Sequence, residues 1–282
     1  MAIDCVGIVE ARASAPNLGP QKLFELQRHF FDRFIWPNNE EEAKTINSTI
    51  FAENVQGRVS DTRNFEGREL NTEYIFGLFV PSERVSIIGI PLSYEIIQFT
   101  ANQNIASATT RLQFRFPKFG NMTLPVTVDT WLTWNDKDEI TQYDVTFRWF
   151  ANLLDLLITA LDPGNRTNAV ATAVHSIASS VCDSHEKHCT AKDGRADNSQ
   201  YASKADCLDY LTTKVRVGQS FELGMDTLMC RSLHQHMLQY RPEVHCSHIG
   251  PSGGGNCIDD LTYAQKVEEN YFNNSPWIPT VF

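Results

Sequence analysis

Two sets of side chains in this sequence can do chemistry. The first is a run of cysteines and histidines in the second half of the chain. Cys182, His185 and Cys189 fall on one helix face, Cys230 and His234 share another, and His245, Cys246, His248 and Cys257 follow. Thiolate and imidazole are both zinc ligands, so a metal centre can be drawn from these residues. Their spacing matches no zinc knuckle. Seven helical residues separate Cys182 from Cys189, roughly 10 Å, too far for a bond between them, so each needs a partner on another segment. The reading adopted is three disulfides bracing a helical layer, with no metal; zinc and free thiols are the alternatives, and the pairing is open. His234, His245 and His248 are also candidate acids or bases, because imidazole titrates near neutrality. The second set is Asp129, Asp144 and Arg148. An acid or guanidinium in mid-strand is costly unless it is paired or serves a cavity. Two readings follow: acid–base chemistry in a pocket, where desolvation raises a carboxyl pKa, or a structural Asp–Arg pair within the sheet.

The strand residues are positioned by LPVTVDTWLTWNDKDEITQYDVTFRWF, residues 124–150, which reads as a β-hairpin turning at residues 135–139. Val126, Val128, Thr130, Leu132 and Trp134 alternate with Thr127, Asp129, Trp131 and Thr133, a pattern suited to a pleated surface. In the second strand Tyr143, Val145, Phe147 and Trp149 make an apolar face, opposite Asp144, Thr146 and Arg148. Alternation does not fix which face lines a pocket. Upstream, Leu23, Leu26, Phe30 and Phe34 keep helical spacing between Pro20 and Pro37. A second helix is predicted over residues 40–51, a short strand over 55–59, a third helix from Gly67 through Tyr74, and strands over 84–100 and 104–119. Downstream the pattern predicts helices over 152–161, 167–189, 203–215 and 225–240, then a glycine turn and an aromatic tail. Gly253–Gly255 lacks the Lys-Ser/Thr of a P-loop and follows no strand, so it reads as a turn.

The 24 basic residues against 34 acidic ones give a formal charge of -10 with no Lys/Arg cluster, which argues against nucleic acid. No run approaches the roughly 20 apolar residues of a membrane span. The start of the chain lacks the cationic and apolar pattern of a signal peptide. The cysteines, with sequons at Asn47, Asn121, Asn165 and Asn273, fit a secreted or secretory-lumen protein. A cytoplasmic location stays open.

The phrases FAENVQGRV (residues 51–59), FEGRELNTEYI (65–75) and ITQYDVTFRWF (140–150), in that order of elements, resemble the NTF2-like superfamily, in particular its SnoaL-like and ketosteroid-isomerase-like branch. The likeness spans about residues 20–160. It implies an α+β cone over residues 20–162, a curved antiparallel sheet wrapped on N-terminal helices around an apolar pocket. An N-terminal arm (1–19) precedes it, and a Cys-rich helical extension (163–282) would pack on it. The segment CRSLHQHMLQYRPEVHCSHIGPSGGGNC, residues 230–257, is similar to ketosteroid-isomerase-like proteins of fungal secondary-metabolite clusters, including those linked with maleidride formation. The resemblance therefore implies a cofactor-independent cyclase or isomerase on a small polyketide-derived substrate bearing an anhydride or carboxylate. Asp129 or Asp144 would be the general base. Tyr74, or one of the three histidines, would donate to an enolate oxygen, though a core tyrosine is the alternative. Where the family has an acid–base carboxylate near the end of the last strand, this chain has Arg148, whose guanidinium suits an anionic substrate. A non-catalytic secreted small-molecule-binding protein is the rival function, with a partner-binding scaffold behind it. No nucleic acid or membrane partner is expected, and a homodimer is allowed.

Overall fold

The computed structural model describes residues 15–192, 194, 196–269 and 272–280. Cys5 and residues 1–14 of the N-terminal arm lie outside the described residues. Helix α1 (Pro20–Phe34) starts at a proline, whose missing N–H costs nothing in a first turn, and turns Leu23, Gln27, Phe31 and Phe34 inward. Helix α2 (Asn38–Thr45) is shorter than the sequence predicts. Ile46 adopts a left-handed backbone (φ 54°) and ends it, and Phe51 opens strand β1 (Phe51–Val59) instead. A short β2 (Asn64–Glu66), which the pattern does not reveal, folds back on β1 before α3 (Arg68–Ile75).

Four long strands follow: β3 (Ile90–Asn102), β4 (Ile105–Phe116), β5 (Met122–Trp134) and β6 (Ile140–Phe147). β3 begins later than predicted because the backbone before it bonds elsewhere. Val85 N–H donates to Ser180 Oγ (2.9 Å) and Val85 C=O accepts from Gln235 Nε2 (3.1 Å), both in the C-terminal region. The β5–β6 turn falls at residues 135–139 as expected, held by Asn135 Oδ1, which accepts from Lys137 N–H and Glu139 N–H (2.9 Å each). The strands form one curved, open sheet in the order β2-β1-β6-β5-β4-β3, antiparallel except for the parallel β1–β6 pair. This is the α+β architecture the resemblance implied, with α1 and α3 packed on the sheet.

The C-terminal part is helical: α4 (Phe150–Thr159), α5 (Arg166–His188), α6 (Lys204–Thr213), α7 (Leu228–His234), α8 (Pro242–Ile249) and α9 (Tyr263–Val267). Asn165, Ser203 and Thr227 cap α5, α6 and α7 by accepting a backbone N–H three residues on. The helix predicted over 225–240 stops early, and Pro242 starts a separate one. One continuous core joins Phe51, Leu112 and Trp134 of the sheet to Ile177, Val181 and Leu233 of these helices. The tail crosses the other side of the sheet: Ser275 N–H donates to Gln142 Oε1 (3.1 Å) and Thr280 N–H to Gln103 Oε1 (2.7 Å).

All six C-terminal cysteines are paired, Cys182–Cys207, Cys189–Cys246 and Cys230–Cys257, with Cα separations of 5.8, 5.7 and 5.7 Å. Paired sulfurs are not zinc ligands, so zinc bound through these thiolates is ruled out in this state. Intact mass before and after reduction should differ by two hydrogens for each of the three bridges. A smaller gain would mean that a bridge fails to form.

Candidate active site

Strand alternation decides which hairpin face turns inward. Val126, Val128 and Thr130 of β5 and Val145 and Phe147 of β6 line a cavity between sheet and helices, closed also by Phe31, Phe34, Leu112, Phe114, Phe150, Leu153 and Leu223. Its volume is about 110 Å³. That is less than the roughly 150 Å³ of a cavity that admits benzene, so a substrate of several rings enters only by displacing part of the wall. The cavity wall is almost wholly apolar; Asp61, Thr62, Tyr74 and Thr130 are the polar residues among the described ones that line it.

Asp61 stands just past the end of β1, in the turn into β2, and is one of the residues that line the cavity. Ser60 Oγ donates to Asp61 Oδ2 (2.7 Å), and Leu223 N–H to its carbonyl (3.0 Å). Burial raises its pKa above the ordinary carboxylate value, against the lowering pull of the Ser60 hydrogen bond and Lys266. Tyr74 projects from α3 with its ring stacked on Phe65 at 4.0 Å. Burial, then the charge of Glu73, holds its phenol well above the usual value, so it remains a neutral donor.

Behind Tyr74 lies a buried polar chain. Its Oη is 3.0 Å from His234 Nδ1; His234 Nδ1 is 3.0 Å from His248 Nδ1; His248 Nδ1 is 3.3 Å from His245 Nδ1. His245 Nε2 meets Glu73 Oε2 at 3.1 Å, and Arg241 Nε donates to Glu73 Oε1 at 2.9 Å. Asn256 Nδ2 stands 2.9 Å from His248 Nε2. Burial alone would raise the Glu73 pKa, but the hydrogen bonds from His245 and Arg241 outweigh it and keep the carboxylate ionised. Burial, then the neighbouring histidines, pushes His234 well below its ordinary value, and burial followed by His245 brings His248 down to about 4. These two rings are therefore neutral at pH 7. The glycine turn fits against the cluster: Gly254 has φ +54°, and a Cβ there would stand 2.4 Å from Ser247 Oγ and 2.6 Å from His248 Cδ2.

The structure thus brings Tyr74, His234, His245 and His248 together. It places Asp129, Asp144 and Arg148 apart from them, on the outer sheet face. Arg148 holds Asp129 through two hydrogen bonds (2.5 and 2.8 Å), and Thr109 Oγ1 adds a third (2.6 Å). Asp144 forms a two-point pair with Arg58 across the β1–β6 ladder. Asp61, Glu73 and Asn256 join the candidate site, and periodicity does not pick them out. Asp129→Asn should cost about 1 kcal/mol or less in a denaturant melt, because its pair is part-exposed and solvent-screened. Burial tends to raise the Asp129 pKa, yet the Arg148 and Thr109 hydrogen bonds lower it overall. The pair's contribution is therefore present above the ordinary carboxylate pKa near 4 and fades as pH falls below it. A melt in which the Asp129→Asn variant is as pH-dependent as wild type between about pH 5 and 3 would contradict this.

The sequence matches the family model of the BfoA N-terminal domain over residues 28–145 and that of the BfoA family C-terminal domain over residues 148–260. Bifonsecin B biosynthesis cluster protein A of Aspergillus brasiliensis is 47% identical over 277 residues, 97% of this chain and 91% of that protein. Aurasperone B biosynthesis cluster protein A of Aspergillus niger is 48% identical over 271 residues, 95% of this chain and 87% of that one. Among solved structures, a protein described as a SnoaL-like polyketide cyclase from Jannaschia sp. CCS1 covers 53% of this chain and 94% of its own, with 13% identity and a TM-score of 0.36. The epoxide hydrolase/cyclase-like enzyme SalBIII covers 46% and 92%, with 15% identity and a TM-score of 0.35. Matched in both halves by the same pair of domains, and along nearly its whole length by relatives close to half identical, the chain belongs to the BfoA family.

Proposed function

We propose that this protein is a cyclase of a fungal secondary-metabolite biosynthesis cluster, acting on a small polyketide-derived substrate by acid–base catalysis. One observation carries the reading: a buried phenol, Tyr74, lies in the wall of an almost wholly apolar cavity with its hydroxyl bonded to His234. In this reading Asp61 takes a proton from a carbon beside a carbonyl. The carbanion's charge moves to the carbonyl oxygen, where Tyr74 stabilises the enolate by donating a hydrogen bond. The enolate carbon then attacks a second carbonyl, whose oxygen receives the proton back. No redox carrier is needed.

Among the described residues the lining holds no Lys, Arg or His, so the favoured substrate is an uncharged polyketide. An anhydride- or carboxylate-bearing, maleidride-type substrate would find no cation among the described lining residues, because Arg148 sits on the outer sheet face, paired with Asp129. The cluster names of the two Aspergillus relatives support a biosynthetic role. The three bridges support passage through an oxidising secretory compartment, and among the described residues no helix is long and apolar enough to cross a membrane. The test is complementation of a producing strain that lacks the protein. Wild type and Asp144→Asn should restore the cyclised product, while Asp61→Asn and Tyr74→Phe should leave the uncyclised precursor. Restoration by both of the last two would sink the cyclase reading and leave a binding role.

A further inference from the structure

We propose that His234, His245 and His248 form a binding site for one zinc-class divalent cation. This goes beyond the cyclase reading and does not depend on it. One ring nitrogen from each of these three buried histidines lies within 4.8 Å of the other two, and the Nδ1 separations are 3.0 Å (His234–His248) and 3.3 Å (His245–His248). A tetrahedral zinc bound at about 2.05 Å sets its ligand nitrogens about 3.3 Å apart, so both of these separations are close to an edge of such a shell.

The outer nitrogen of His245 is held as it is around bound metals. His245 Nε2 faces the Glu73 carboxylate at 3.1 Å, which fixes its proton there and leaves the Nδ1 lone pair pointing inward. Glu73 is itself anchored by Arg241 and fully buried. His248 Nε2 lies 2.9 Å from the Asn256 amide nitrogen, which donates to it and puts the ring proton on Nδ1; a cation bound at Nδ1 releases that proton and turns the carboxamide to present its oxygen to Nε2–H. Without a cation, a single proton on His248 Nδ1 has to serve both neighbouring nitrogens. A cation at the centre satisfies all three lone pairs at once.

The covalent frame also converges here. Cys230 lies one turn before His234, Cys246 directly follows His245, and Cys257 directly follows Asn256, and all three cysteines are bridged. The disulfides thus serve as the rigid support of the histidine set, and the absence of thiolates leaves nitrogen as its donor. The proposal departs from the expectation of a metal-free protein read from the sequence.

The test uses the full-length protein, made with its bridges intact, stripped with chelator, reloaded with zinc chloride and desalted. The expected result is close to one zinc per chain, with a nitrogen and oxygen shell near 2.0–2.1 Å in X-ray absorption and no sulfur at about 2.3 Å. Asn256→Ala should weaken zinc binding about 10–100-fold, and His248→Ala should abolish stoichiometric binding, while the exposed His175→Ala should retain it. A sulfur shell, zinc below a tenth of an equivalent in wild type, or undiminished affinity in both Asn256→Ala and His248→Ala would each overturn the proposal. Because the wild-type measurement and the milder Asn256→Ala stand alone, misfolding of His248→Ala does not rescue it.

Discussion

Tyr74→Phe should lower turnover by about two to three orders of magnitude while ligand affinity stays within a few-fold of wild type. The substitution removes one oxygen and leaves the ring, so the stack on Phe65 and the cavity wall persist. What disappears is the donor to the enolate oxygen, a group that matters more in the transition state than in the bound substrate. His234 Nδ1 keeps His248 Nδ1 at 3.0 Å as a partner, so the lost hydrogen bond should cost only about 1 kcal/mol in a denaturant melt. Steady-state kinetics separates the roles: a fall in kcat with KM nearly constant supports an acid or donor role, whereas a rise in KM alone assigns Tyr74 to packing. The pH profile gives a second check. Because burial and Glu73 keep the phenol protonated throughout the neutral range, Tyr74 contributes no alkaline limb. Asp61, raised by burial, should supply an acid limb, with activity appearing as pH rises above its folded pKa and vanishing in Asp61→Asn.

Much of this fold is legible in the sequence, and the reasons for success and failure are physical. The hairpin, its turn at residues 135–139 and α1 show themselves through local periodicity and turn chemistry. The choice of inner face does not. Val128 and Asp129 belong to equally regular sets, and only the packing of α1 and α3 on one side, with the tail on the other, separates them. β2 and the parallel β1–β6 ladder rest on contacts distant in the chain, which no local window contains. The late start of β3 has the same origin, since Val85 bonds to Ser180 and Gln235. The histidines are visible as residues, but their convergence depends on the break between α7 and α8 and on a glycine that lets a turn press against His248. Glu73 reads as one more acid on an amphipathic helix until tertiary packing buries it, and Asp61 as a turn residue until the turn places it at the cavity.

Reduction of the three disulfides should lower the melting temperature by about 10 °C or more and abolish activity. The bridges close separations of 25, 57 and 27 residues. In the chain-entropy account each contributes about 3–4 kcal/mol at 25 °C, and because the loops interleave, the joint effect is less than the sum. Even one such loss is large against a folding stability of about 5–15 kcal/mol. For a chain of this size about 1 kcal/mol moves the melting point by about 2–4 °C. The Cys189→Ala and Cys246→Ala pair of substitutions should have the largest single effect, since it opens the longest loop and frees α8 from α5 beside His245. The helical layer and the sheet share one core, so loosening the layer also uncovers the apolar wall formed by Leu223 and Leu233 and exposes the cavity to water. Calorimetry with and without reductant reads this directly; a shift below about 2 °C would show that the core alone holds the layer. If the larger shift is found, the reduced chain has too little stability to keep Tyr74 and the histidines in register. A catalytic role then requires the oxidised form, and with it an oxidising compartment.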